Sequence, residues 1–241
     1  KHRSEFEAEV ENRYVAGVPL SSTAVVKVVG WHTPAAEPLS DASGQTQELQ
    51  STDADSEYPY VLVMLQGERS LHDVQSKERM AGFDVPAIIS AMRSVAECVD
   101  TIHSAGLCHG DLKQRNILRT VNADVATSWV LCDMDASCLF GSPVGAKTSS
   151  AYGPPELARK VFSDSTSVVL ASESFDVWSW GVILFDLCAG RHLFAQDINN
   201  DDLIDPVDRT RLCVWDTISD AELDPVLTDA DVTESTVGDA K

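Results

Sequence analysis

Within residues 108–118, CHGDLKQRNIL, an aspartate, a lysine and an asparagine fall inside six residues: Asp111, Lys113 and Asn116. Seventeen residues beyond Asn116 stands Asp133, in WVLCDMDAS, directly after a short apolar run. Phosphoryl transfer asks little covalent work of a protein but does ask for well-placed charge, and these side chains can supply it. One carboxylate accepts the proton of an attacking hydroxyl. A second carboxylate and an amide oxygen hold a hard divalent cation such as Mg²⁺. A lysine offsets charge on the group in flight. Taken singly, Asp-x-Lys is usually a surface pair and His-Gly-Asp a turn; the joint spacing carries the reading. His109 reads as a packed core histidine, and the tryptophans at 178 and 180 as core.

Such residues need a frame that fixes them. Apolar spacing predicts a helix over 86–105, with Ile88, Ile89, Met92, Val95, Val99 and Ile102 recurring, Pro86 in the first turn and Gly106 at the exit. That helix delivers the chain into 107–140, where short strands alternate with tight loops. A second helix is predicted over 174–189, apolar around most of its circumference and so expected to be fully buried. Before these, residues 4–16 read as a helix striped by Phe6, Val10 and Tyr14 and ended by Gly17 and Pro19. Residues 24–31 read as a strand and 59–65 as a buried strand. Residues 33–57, rich in Pro, Ser, Thr and acids, read as a flexible acidic insertion.

The 241 residues carry 18 basic and 38 acidic side chains, a net charge of −20, which argues against nucleic acid as a main partner. With 44% hydrophobic and 23% charged residues, the chain can bury a globular core. No segment reads as a secretory signal or a membrane span. Six cysteines without a C-x-x-C pair read as reduced thiols in a cytoplasmic setting.

In this order and spacing the chain resembles the eukaryotic protein kinases, over about residues 5–195. HGDLKQRNIL resembles their H-R-D-L-K-x-x-N catalytic loop. CDMDAS stands where D-F-G would be. AYGPPEL resembles the A-P-E segment, and SFDVWSWGVILFDLCAGRHLF the buried helix that follows. YVLVMLQGERSLHDV looks like the entry to the hinge. The resemblance implies an α+β, protein-kinase-like fold: a partial small lobe over 1–66, a mainly helical large lobe over 67–215, and an acidic tail without structure over 216–241. It implies ATP and Mg²⁺ as cofactors and a protein substrate carrying Ser or Thr. Asp111 would be the catalytic base and Lys113 would contact the γ-phosphate, while Asn116 and Asp133 would hold the metal. Met64, or Val63 with a one-residue shift, would stand beside adenine, with Leu118 on the same nucleotide side. Glu156 would anchor the activation segment, Asp176 would brace the catalytic loop, and His109 and Met134 would join the hydrophobic spine.

The departures matter as much. Gly110 replaces the arginine of H-R-D, which removes the usual partner of a phosphorylated segment, so phosphate on Thr148, Ser149 or Ser150 is not expected to be required. Asp135 replaces the glycine of D-F-G. No G-x-G-x-x-G or V-A-I-K lysine occurs here, so the chain reads as a fragment that begins near the helix whose glutamate pairs with that lysine. Glu7, Glu9 and Glu11 are all candidates for that glutamate, with F-x-x-E-V favouring Glu9. Two other readings stand beside the kinase: a scaffold module without catalysis, and an aminoglycoside-type phosphotransferase, which shares H-G-D-L-x-x-x-N. The oligomeric state is not legible.

Overall fold

The computed structural model describes residues 2–33, 47–48, 59–122, 125–145, 147–163, 166–197, 199–224 and 226. Its helices are α1 (Arg3–Glu11), α2 (Leu71–Lys77), α3 (Val85–Ser104), α4 (Pro155–Phe162), α5 (Glu173–Ala189) and α6 (Pro206–Cys213). Among the described residues ten short strands run between them: β1 (Tyr14–Val15), β2 (Val18–Pro19), β3 (Val28–His32), β4 (Gln47–Glu48), β5 (Val61–Met64), β6 (Arg69–Ser70), β7 (Leu107–Cys108), β8 (Ile117–Asn122), β9 (Val125–Leu131) and β10 (Cys138–Leu139). They form two three-stranded sheets, β4-β3-β5 and β6-β8-β9, and two small ribbons, β1-β2 and β7-β10. Small sheets set against several helices make the α+β arrangement the sequence led us to expect.

The long helix α3 begins where Asp84 accepts a hydrogen bond from the Ala87 N–H at 3.0 Å, with Pro86 in the first turn. Its stripe of Ile88, Met92, Val95, Val99 and Ile102 is buried, and the turn after it needs Gly106 at φ +79°. Helix α5 lies alongside, tied by the Trp180 indole N–H to the Met92 carbonyl at 3.2 Å. It ends on Gly190 at φ +64°. It is not buried all round as expected, because Val177 is 55% exposed. What it does bury includes two carboxylates, Asp176 and Asp186.

Four other expectations change in shape. Helix α1 stops at Glu11 rather than running to 16, because Ala16 (φ 52°) and Gly17 (φ 79°) form a two-residue turn between β1 and β2. The strand expected over 24–31 divides. Residues 24–26 exchange backbone bonds with Leu131, and only Val28–His32 pairs with β5. Strand β5 is half-exposed rather than buried. Of the insertion expected over 33–57, Gln47–Glu48 pairs with β3, and most of the rest lies outside the described residues.

Past residue 195 the chain remains folded. Trp215 packs edge-on against Trp178 and Phe194 at ring separations of 5.3 and 5.6 Å, with the Arg211 guanidinium over its face. Arg211 also pairs with Glu222. The first part of the expected tail is therefore a helical turn held against α6, with residues 227–241 outside the described set.

Candidate active site

The catalytic-loop residues gather because one buried carboxylate holds their backbone. Asp176, fully buried on α5, accepts hydrogen bonds from the His109 N–H (2.7 Å), the Gly110 N–H (3.1 Å) and the His103 ring (2.8 Å). Burial pushes its carboxyl up. The His103 hydrogen bond, the nearby His109 ring and the two backbone N–H groups outweigh that and leave its pKa below the ordinary value. The loop turns at Gly110, φ +78°, where a Cβ would sit 2.6 Å from the Ala136 carbonyl oxygen. That contact gives the missing arginine a local reason: with this loop packing, only glycine fits. Gly110→Ala is expected to lose about 2–3 kcal/mol of stability in urea unfolding, from the left-handed backbone and the forced shift of Ala136. A loss under about 0.5 kcal/mol would show that the loop adapts freely.

Asp111, Lys113 and Asn116 form one knot. Asp111 is buried, and its Oδ1 accepts from the Ser149 N–H at 2.9 Å. Its Oδ2 lies 3.2 Å from Lys113 Nζ. Asn116 Nδ2 donates to the Asp111 carbonyl at 2.9 Å, which turns its amide oxygen the other way. Lys113 Nζ also donates to Ser149 Oγ at 2.7 Å and lies 3.5 Å from Asp201 Oδ2. The Asn116 carbonyl accepts from Cys132 N–H at 2.9 Å, which links the knot to the residue before Asp133.

Asp133 itself sits in the left-handed region at φ 64°, ψ 69°, a conformation a non-glycine residue keeps only when its neighbours enforce it. Those neighbours are Cys132, held by Asn116, and Leu131, whose N–H donates to the Ala24 carbonyl at 2.7 Å. Carboxylate oxygens of Glu9, Asp133 and Asp135 lie within 4.8 Å of one another. This all-oxygen set fits a hard divalent cation of the Mg²⁺ type.

Of the three candidate glutamates, Glu9 is fully buried, while Glu7 pairs with Arg3 at 2.7 Å and Glu11 is exposed. Glu9 is held by Arg13 on the next turn, whose Nε lies 3.0 Å away. Arg13 Nη2 also lies 3.4 Å from Met64 Sδ, so Glu9, Arg13 and Met64 adjoin. Leu118, half-buried on β8, meets the hinge at Gly67, where an added Cβ would fall 3.0 Å from Leu118 Cβ.

Several participants carry no signal in the expected motifs. Asn12 clamps α1 to the loop after Asp133 through bonds to the Met134 and Ser137 carbonyls, both 2.8 Å. Asp201 lies 3.3 Å from Arg115 Nε, and Asp202 accepts from Ser150 Oγ at 2.8 Å. The 197–203 loop thus supports both the catalytic loop and residues 149–151. Glu156, expected to anchor the activation segment, lies in the first turn of α4, with no side-chain bond or ion pair among the described residues. The helix dipole accommodates its charge there.

Fold and site together define a protein kinase domain, and the protein kinase domain family matches residues 47–229, so the chain belongs to that family. Among curated proteins it is 26% identical over 178 residues to ribosomal protein S6 kinase 2 alpha of Gallus gallus, covering 71% of this chain and 23% of that one. It is 28% identical over 137 residues to dual specificity tyrosine-phosphorylation-regulated kinase 3 of Rattus norvegicus (55% and 21%). It is 32% identical over 106 residues to glycogen synthase kinase-3 homolog YGK3 of Saccharomyces cerevisiae (43% and 26%). The chain spans about a quarter of the length of these relatives. No helix among the described residues is long and apolar enough to cross a membrane.

Proposed function

We propose that the protein transfers the γ-phosphoryl group of ATP to Ser or Thr hydroxyls of protein substrates. The observation that carries this reading is the hydrogen-bonded run from Asp111 through Asn116 to the backbone beside Asp133, which ties the three residues to one loop framework. Asp111 accepts the proton of the attacking hydroxyl, held in place by Ser149 N–H. Lys113, steadied by Asp111 and Asp201, faces the developing charge. Asn116 and Asp133 would hold Mg²⁺, which would supply neutralisation of the phosphate charge. Met64 and Leu118 border the adenine, and Glu9 lies on the nucleotide side near Asp133. The lobe boundary falls near residue 66, and a reducing, cytoplasmic setting suits cysteines that are all thiols.

Membership of the protein kinase family turns the reading away from the aminoglycoside type. A scaffold without catalysis draws support from Glu9, already paired with Arg13. Thermal melts with Mg²⁺–ATP separate the two. Wild-type protein is expected to be stabilised in proportion to RT ln(1 + [L]/Kd). Asp133→Asn is expected to bind about 10- to 100-fold more weakly, the value of one charge-assisted contact. No shift in wild type would favour the scaffold, and an unchanged shift in the variant would remove Asp133 from the metal site.

A further inference from the structure

Lys147, in the segment between Asp133 and α4, reaches back across the site. Its Nζ lies 2.5 Å from Asp135 Oδ2 and 3.6 Å from Asp133 Oδ2. The Asp135 side chain is 1% exposed, Asp133 30% and Lys147 46%, so a mobile cation docks on a fixed, buried anion. The ammonium lies against the Oδ2 atoms of two of the three carboxylates in the acidic set. A Mg²⁺-sized ion holds its oxygens at about 2.1 Å. An ion held by those two Oδ2 atoms therefore cannot bind while Lys147 Nζ is there.

We propose that Asp135 is a positioning residue for a latch. It seats Lys147 over Asp133, so that Lys147 and a divalent cation exclude each other from the same carboxylates. The proposal rests on Asp133 being a metal ligand, and it gives the aspartate in place of glycine a role.

Charge decides which occupant wins. Arg13 already offsets Glu9. At Asp133 and Asp135 Lys147 brings one positive charge and a divalent ion brings two. A doubly charged ion is drawn to the pair more strongly than an ammonium, so the ion displaces the lysine once it is abundant. Lys147 leaves cheaply, because its long stem is already half in water. In the absence of the ion the latch holds. Its effect extends along the chain. Two residues after Lys147, the Ser149 N–H donates to Asp111 Oδ1 and Ser149 Oγ accepts from Lys113. Release of Lys147 therefore couples metal loading to the segment that faces the catalytic base.

The test is a titration with Mn²⁺ alone, read by the paramagnetic resonance of the free ion, with circular dichroism melts confirming the fold of every variant. Lys147→Gln is expected to bind Mn²⁺ about tenfold more tightly than wild type, as for a latch closed about nine-tenths of the time. Lys147→Arg, which keeps the charge, should stay within about twofold of wild type. Lys77→Gln, which removes an exposed lysine paired with Asp73, should leave affinity unchanged. Equal tightening by Lys77→Gln would reduce the effect to net charge and overturn the latch. Unchanged affinity in Lys147→Gln, with Asp133→Asn still weakening binding, would overturn the latch and leave the metal site standing. If neither wild type nor Lys147→Gln binds Mn²⁺, or if Asp133→Asn binds as well as wild type, the metal-site reading fails and the latch goes with it.

Discussion

Asp111→Asn is expected to lower turnover by about 10²- to 10⁴-fold, the usual contribution of a positioned general base. Nucleotide affinity and fold should be nearly unchanged. The geometry makes this substitution informative. Asparagine has the same shape, and its amide oxygen can go on accepting the Ser149 N–H that now meets Oδ1. What disappears is the charge on Oδ2, 3.2 Å from Lys113, and with it the ability to take a proton. Lys113 keeps Asp201 and Ser149 as partners, so it is not left as a bare buried cation. Initial rates on a Ser/Thr peptide, set beside the Mg²⁺–ATP thermal shift of the same variant, distinguish the outcomes. Full turnover would place the base elsewhere. Loss of nucleotide binding with turnover would make Asp111 a ligand.

The parts of this site that could be read from the sequence are those whose meaning is local. Asp111, Lys113 and Asn116 share one short loop, and Asp133 follows a strand that pairs directly with the one after Asn116, so chain spacing carries their geometry. The burial stripe of α3 was legible for the same reason, being a 3.6-residue period in a single segment. The choice among Glu7, Glu9 and Glu11 was legible only as the lean toward Glu9 that F-x-x-E-V gives, since all three flank the stripe. Yet Glu9 and Arg13 stand four apart, a spacing that puts them on neighbouring turns, and that pairing was available as a signal. The other missed residues act across long separations. Asn12 meets Met134 from 122 positions away, and Asp201 meets Arg115 from 86. No periodicity links such pairs, and only the packing of α1 and of the 197–203 loop brings them together. Helix α5 misled for a related reason. An apolar residue all round a helix suggests complete burial, but which neighbours cover each face is a tertiary fact, and Val177 stays in water.

Asp176→Asn is expected to cost about 3–5 kcal/mol of stability, the largest structural loss of any single change near the site. Three donors converge on this one carboxylate in a place that water does not reach. An amide offers one acceptor oxygen and turns an N–H₂ group toward the remaining donors, so at least one buried backbone N–H loses its partner. For a domain of this size the loss lowers the midpoint of thermal unfolding by roughly 10 °C. Acidity provides a second signature. The folded carboxyl titrates below its unfolded value of 3.8, so its contribution is complete above about pH 4 and fades as pH falls through the folded pKa. The stability gap between wild type and Asp176→Asn, measured by urea unfolding, should therefore be constant from neutral pH down to about 4 and narrow below it. A gap that stayed fixed into stronger acid would mean the ionised form of Asp176 is not what holds the His109–Gly110 backbone. Turnover should fall as well, because the same two N–H groups fix the residue immediately before Asp111, and a base displaced by an ångström no longer meets its hydroxyl in line.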